Sequence, residues 1–420
     1  MTIGALEAAA GGPETIGLED LQSARELIRP VLRATPIIES YTLSELVGAE
    51  IYLKLENLQR TGSFKPRGAY VHLARRLQAG PLSGVVCASA GNHAQGVAFA
   101  ARLLGLPATV VMPHNSPLTK IERCRGYGAR IVLDGENLED ALARARQIQA
   151  EESLGFVHPF ADPWVIAGQG SVGLELLEEL PEVSTVVVPV GGGGLLSGIL
   201  IAIKNLRPAV QVIGVQAEGA SAMTRSWQAG LALPAGRPAT IADGIKVAEV
   251  HPLPFSILQR YVDDMVTVPE GEIIHAIVVL MERSRVVVEG AGAAGVAALL
   301  AGRIRRPGPK TCVILSGGNI DTNLVAHAIE RGLTSDGRYL CLRTRVQDRP
   351  GQLNRMLMVL TELKVNILEI RHHREGWDVP IGHVGIELLL ETRNQEHSQE
   401  VADCLSAAGY PVTTVIPPAD

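Results

Sequence analysis

What the chain lacks narrows its class first. Its five cysteines (Cys87, Cys124, Cys312, Cys341 and Cys404) form no C-x-x-C pair, which argues against a disulfide framework and a cysteine zinc site; no metal is expected. Aromatic residues make up only 4% of the 420, so the core must be built from Ala, Val, Leu and Ile. Neither sign of charge dominates: 38 Lys and Arg against 44 Asp and Glu leave −6, with no basic field to hold nucleic acid or an anionic membrane. The N-terminus has no basic flank followed by an apolar core. The most lipid-like stretch, 286–300, carries Glu289 and is too short and too polar to span a bilayer. A cytoplasmic chain is expected. At 46% hydrophobic with low net charge it is not disordered, and its length suggests two or three domains.

Short β-branched runs alternate with helical patterns through most of the chain. The runs 84–89, 108–112, 129–133, 185–190, 211–216 and 310–315 read as strands flanked by Gly or Pro. Between them, Leu138, Ala141, Leu142, Ala145 and Ile148 recur at helical spacing. Such alternation predicts crossover connections and a mostly parallel α/β sheet. Near Thr334-Ser-Asp-Gly337 the texture changes. Beyond it the pattern is strand 339–346, helix 351–363, strand 366–374, strand 381–390, helix 395–408 and strand 411–416, a ferredoxin-like βαββαβ module. The expected division is therefore 1–335, with a smaller subdomain at roughly 50–160 inside it, and 336–420.

Two stretches match G-x-G-x-x-G, at Gly168–Gly173 and Gly290–Gly295. The second raises an NAD-dependent oxidoreductase as an alternative. That fingerprint also needs a carboxylate about 20 residues on for the ribose, and here the next run ends in Ser316-Gly-Gly instead. Glycines that allow close helix packing are the expected reading of both. Gly191, Gly192, Gly193 and Gly194 are a different matter, because they stand between a strand and an apolar helical segment. Four residues without Cβ let backbone N–H groups converge on an oxyanion at a helix N-terminus, so a phosphate cradle is expected. No G-K-[ST] follows, which excludes a nucleotide P-loop. Lys65, in the turn Thr61-Gly-Ser-Phe-Lys-Pro-Arg-Gly68, can hold an aldehyde cofactor covalently, and burial would lower its pKa toward the reactive amine. Lysine plus phosphate cradle suggests pyridoxal phosphate.

The motifs T-G-S-F-K-x-R-G-A (61–69), S-A-G-N-H-A-Q-G (89–96), the tetraglycine at 191–194 and S-G-G-N (316–319) stand in the order of the fold-type II pyridoxal-phosphate enzymes. Over nearly its whole length, about 20–335 and 338–416, the chain resembles the threonine dehydratases (threonine ammonia-lyases) that carry one C-terminal ACT regulatory domain. The resemblance implies a tryptophan-synthase β-like body of two open parallel-sheet subdomains, and an enzyme that eliminates water and ammonia from L-threonine, and from L-serine. It makes Lys65 the cofactor-bearing lysine and the base at the substrate Cα, with Phe64 beside the ring, Asn92 on the ring's 3′-oxygen and Gly191 to Gly194 on the phosphate. Ser316 would face the pyridine nitrogen. Ser89, Gly91, Asn92 and His93 would receive the substrate carboxylate at a helix N-terminus, and a locally hydrogen-bonded scaffold role is expected for His93 ahead of proton transfer. Serine racemases of similar sequence have a second serine where this chain has Ala90, and carboxylates where it has Gln216 and Ala222. Racemisation would therefore lack its second acid, and a serine dehydratase or racemase-type enzyme stands as the nearer alternative. In the C-terminal module, Asp348, Pro350, Gly351, Gln352, Leu353 and Asn366 are implied as an amino-acid effector site, formed where two modules pair in a homo-oligomer.

Overall fold

Runs of Val, Ile and Ala without polar alternation form strands only where both faces are covered. The computed structural model describes residues 16–234, 236–374 and 379–414. Its strands are β1 (Ile37–Glu39), β2 (Glu50–Lys54), β3 (Val85–Ala88), β4 (Ala108–Met112), β5 (Arg130–Leu133), β6 (Gly155–Phe156), β7 (Thr185–Pro189), β8 (Gln211–Ala217), β9 (Asp264–Val268) and β10 (Lys310–Ile314), followed by β11 (Tyr339–Gln347), β12 (Asn366–His373), β13 (His383–Glu391) and β14 (Thr413–Thr414). The described part of the last run expected as a strand is thus paired at Thr413–Thr414, and its final residues, 415–416, lie outside the described residues.

The chain divides into two compact units, 1–321 and 322–420, so the helix Thr322–Ser335 groups with the second unit. The first unit holds two sheets. One has the order β1-β2-β10-β7-β8-β9, parallel except for the antiparallel β1 edge. The other is a four-stranded parallel sheet, β5-β4-β3-β6, within residues 85–156. Every residue of β3, β4 and β7 is buried, as parallel strands covered by helices on both faces require. The second unit is an antiparallel sheet, β12-β13-β11-β14, with the helices Gln352–Glu362 and Gln395–Ala407. Leu342, Met356, Leu360, Ile386, Leu388 and Val401 are fully or almost fully buried in its core.

Both G-x-G-x-x-G stretches are packing surfaces. Gly168 and Gly170 lie inside the helix Pro163–Glu179, where a Cβ would stand 2.5 Å from the Arg67 carbonyl oxygen and 2.4 Å from Leu21 respectively. Gly290 opens the helix Gly290–Leu300, but no strand leads into it, and a Cβ at Gly295 would press 2.6 Å from Val313 on β10. The second stretch therefore seats a helix on the sheet and offers no dinucleotide turn, which removes the oxidoreductase alternative.

Candidate active site

The two sheets of the first unit point the loops after their strands at one another. After β3 comes Ser89 to His93; after β7, the tetraglycine; after β10, Ser316 to Asn319. Loops at the carboxyl ends of parallel strands are where open α/β sheets bind ligands.

Lys65 begins the helix Lys65–Ala79, with Pro66 in its first turn. Its Nζ donates to the Pro159 carbonyl at 3.0 Å and lies 5.1 Å from the centroid of the Phe64 ring. Burial lowers its pKa from 10.5 to about 8, against the opposing negative charge of Glu289. The segment 62–64 pairs with 316–318: Phe64 N–H donates to the Ser316 carbonyl (3.1 Å) and Gly318 N–H to that of Gly62 (2.8 Å). Lys65, Phe64 and Ser316 are therefore tied together by backbone, and Ser316 is 3% exposed.

Behind Lys65 lies a buried polar anchor. The fully buried Arg67 guanidinium meets the Glu56 carboxylate at 2.8 and 2.9 Å, Glu175 at 2.6 and 2.8 Å, and Ser171 Oγ at 3.0 Å. Lys54 Nζ adds contacts of 3.0 Å to Glu175 and Glu179. A buried guanidinium needs this full set of acceptors. The set fixes the first turn of the lysine's helix against the helix Pro163–Glu179 and the turn at Glu56.

The tetraglycine turn is shaped by Phe160. A Cβ at Gly192 would stand 2.4 Å from the Phe160 ring, and one at Gly194 would stand 2.8 Å from its backbone oxygen. Gly193 has φ +89°, a conformation that side chains resist. It caps the helix Gly194–Leu206, whose first-turn N–H groups have no helical partner. The same 157–161 segment supplies the Pro159 acceptor for Lys65 and the Val157 carbonyl that meets His93 Nε2 at 2.9 Å. His158 Nδ1 accepts from the Ala161 N–H at 2.8 Å and shapes the turn. Because a carbonyl only accepts, His93 Nε2 carries the proton. Burial lowers the His93 pKa to about 3, with the charge of Lys65 pushing the same way, so this ring stays neutral.

Ser89 Oγ accepts from Gly91 N–H (3.1 Å), shaping the turn into the helix Asn92–Leu103. Asn92 reaches across to the other loops: its Nδ2 donates to Glu289 Oε1 at 2.6 Å, and its Oδ1 accepts from Asn319 Nδ2 at 2.8 Å. Burial raises the Glu289 carboxyl pKa to about 7, opposed chiefly by the Asn92 hydrogen bond and then by Lys120. Sequence reasoning passed over Glu289, Arg67, Asn319 and the 157–161 segment. A lone carboxylate in the apolar run 286–300 and the last residue of S-G-G-N were the available signals for two of them.

Among the described residues no group of three or more His, Cys, Asp or Glu is arranged to hold a metal. Gln216 turns its Oε1 inward to the N–H and Oγ of Thr224, at 2.8 and 3.0 Å. In the second unit, Asp348, Pro350, Gly351, Gln352 and Leu353 share one turn, with Gly351 (φ +84°) capping the following helix and Asp348 held by Arg374 at 3.1 Å. Asn366 is not among them. It pairs with Glu391 beside Tyr339, at the opposite end of the sheet from the turn that follows Gln347, a strand length of roughly 25 Å.

A buried lysine, a phosphate-sized glycine cradle and a serine-ended strand define the class: the chain belongs to the pyridoxal-phosphate dependent enzyme family, whose model matches residues 28–317. Within that family it is 48% identical over 400 residues, 95% of this chain and 100% of the other, to the L-threonine ammonia-lyase of Thermotoga maritima. The solved threonine deaminase of T.th. is 41% identical, with a TM-score of 0.69 over 73% of this chain and 99% of that one. Maize serine racemase is 33% identical, with a TM-score of 0.71 over 76% of this chain and 98% of that one. The cofactor of the family is pyridoxal phosphate, and the residues present fit it. Lys65 offers a buried amine, the glycine turn is packed so closely against Phe160 that Gly192 and Gly194 admit no Cβ, and Ser63 Oγ and Ser197 Oγ are buried without a protein partner.

Proposed function

We propose that this chain is an L-threonine ammonia-lyase, converting L-threonine to 2-oxobutanoate and ammonia and L-serine to pyruvate and ammonia. The observation that carries the reading is the Lys65 amine, held by a backbone carbonyl against Phe64 with its pKa lowered to about 8. Bound pyridoxal phosphate supplies the electron sink that renders the substrate Cα–H acidic. Lys65 takes that proton, since burial lowers its pKa to about 8 and so makes the neutral amine far more available near pH 7 than in an ordinary lysine. Gly191 to Gly194 and the first-turn N–H groups behind them would bind the phosphate, Asn92 would donate to the ring's 3′-oxygen, and Ser316 would stand at the ring nitrogen. Ser89, Gly91, Asn92 and His93 orient the substrate carboxylate at the start of the helix Asn92–Leu103, with His93 contributing shape rather than a proton. The β-hydroxyl leaves as water, and hydrolysis of the enamine yields the 2-oxo acid and ammonia.

Ala90 supports elimination over racemisation, because alanine offers no proton donor for the opposite face of Cα. We further read residues 336–420 as an ACT regulatory module of a cytoplasmic homo-oligomer. A branched-chain amino acid would bind between the 348–353 turn of one module and Asn366 of a second, which is how two sets of residues at opposite ends of one sheet can act together. Purified enzyme given L-threonine and L-serine side by side should release ammonia and 2-oxo acid in equal amounts. Release of D-serine without 2-oxo acid would favour the racemase reading, and release of neither would refute both.

A further inference from the structure

Asn92 stands at the centre of a polar chain whose direction is set from outside. Asn319 Oδ1 accepts from Arg123 Nη1 at 2.7 Å, and its Nδ2 donates to the Thr61 carbonyl at 2.8 Å. Arginine only donates and a carbonyl only accepts, so the Asn319 amide has one permitted orientation. Its Nδ2 also faces Asn92, which obliges Asn92 to present its oxygen there. At the far end the Glu289 oxygen accepts from Asn92 Nδ2 at 2.6 Å. The Asn319 end therefore fixes the orientation of an amide that could otherwise flip by 180°, and the ionised Glu289 carboxylate, which only accepts, favours the same one. The second N–H of Asn92 has no protein partner among the described residues. Three glycines leave room for this chain: a Cβ at Gly317 would stand 2.4 Å from Glu289, one at Gly244 2.9 Å from it, and one at Gly62 2.6 Å from Asn319.

We propose that Glu289 and Arg123, the latter through Asn319, are positioning residues that hold the Asn92 amide with a donor N–H, never its oxygen, turned toward the cofactor ring. The inference rests on the family's cofactor binding at this site. Losing the orientation would set two oxygens facing each other across the ring contact, and a lost hydrogen bond to a charged or polar partner corresponds to roughly 10-fold to 100-fold in affinity.

The test is a double-mutant cycle on the full chain, stripped of cofactor and titrated with pyridoxal phosphate, with the visible absorption band of the bound form as the readout. Glu289→Leu should weaken binding at least about tenfold and shift the band. Glu289→Gln, whose amide oxygen can still accept from Asn92, should stay within about threefold of wild type. In an Asn92→Ala background, Glu289→Leu should add nothing, whereas a purely structural role would add its full loss. Arg123→Ala, at an exposed position that leaves folding intact, should repeat the pattern with a smaller loss and guards against a collapsed Glu289→Leu. Additive losses, or unchanged binding in both single variants, would overturn the proposal. Failure of wild type itself to bind pyridoxal phosphate would instead overturn the functional reading.

Discussion

At Lys65, removal of the side chain takes away the cofactor's covalent anchor and the base together, and the effects of groups acting as a unit do not add. Lys65→Ala should lower 2-oxobutanoate formation by at least about 1,000-fold with an unchanged circular dichroism spectrum; retention of a tenth of wild-type turnover would refute the role. Glu289 gives a stability prediction. Its carboxyl titrates at about 7 when folded against 4.5 ordinarily, so between those values the folded chain holds more protons than the unfolded one. The contribution of Glu289 to stability is therefore greatest below about 4.5 and falls as pH rises to about 7, by up to about 3 kcal/mol. In cofactor-free protein, Glu289→Gln should remove that decline, as urea melts at pH 5 and pH 8 would record. Parallel pH dependence in the two proteins would assign the shift elsewhere.

Among the elements, the tetraglycine turn and the 157–161 segment form one unit, and the atoms facing each glycine decide what a substitution does. Gly192 faces the Phe160 ring, whereas Gly194 faces the Phe160 backbone. Gly192→Ala and Gly194→Ala should each weaken cofactor binding about tenfold or more. Adding Phe160→Ala should restore binding in the first and not in the second, because only a side-chain clash can be cut away. Equal rescue of both would show that Phe160 does not shape the turn. The helix that carries Lys65 depends likewise on Arg67. Arg67→Met leaves Glu56 buried without its cation and Glu175 with Lys54 alone, and should cost about 3–5 kcal/mol in denaturant unfolding.

For the whole molecule, the T.th. threonine deaminase is matched over 99% of its length by 73% of this chain, a share close to that of the first unit, 1–321. Removal of residues 322–420 should leave a pyridoxal-phosphate-binding body with threonine turnover within about threefold of the full chain. The full chain should shift its threonine dependence with millimolar isoleucine or valine, and the shortened one should not. Coupling of this kind typically corresponds to about 5-fold to 150-fold in apparent affinity. An effector response that survives the truncation would move the regulatory site into the catalytic unit.

The sequence by itself determined the periodicities and the motifs. Six β-branched runs became β3, β4, β5, β7, β8 and β10 within a residue or two at each end; all but the exposed edge strand β5 are largely buried on both faces and so advertise themselves by apolar residues. Lys65 and the tetraglycine could be singled out because a covalent amine and an anion cradle each ask for a residue type in a fixed local setting, and Ser316 only through the motif resemblance. The short or mixed strands β1, β2, β6 and β9 were not, since pairing rather than composition makes them strands. Only the tertiary structure decided that Glu289 meets Asn92 across 197 residues of chain, that Arg67 is an anchor rather than a surface cation, and that Asn366 lies a sheet's length from the turn at Asp348. The physical reason is the same in each case. A polar group's role depends on what solvates or replaces its water, and that is settled by partners brought from distant parts of the chain.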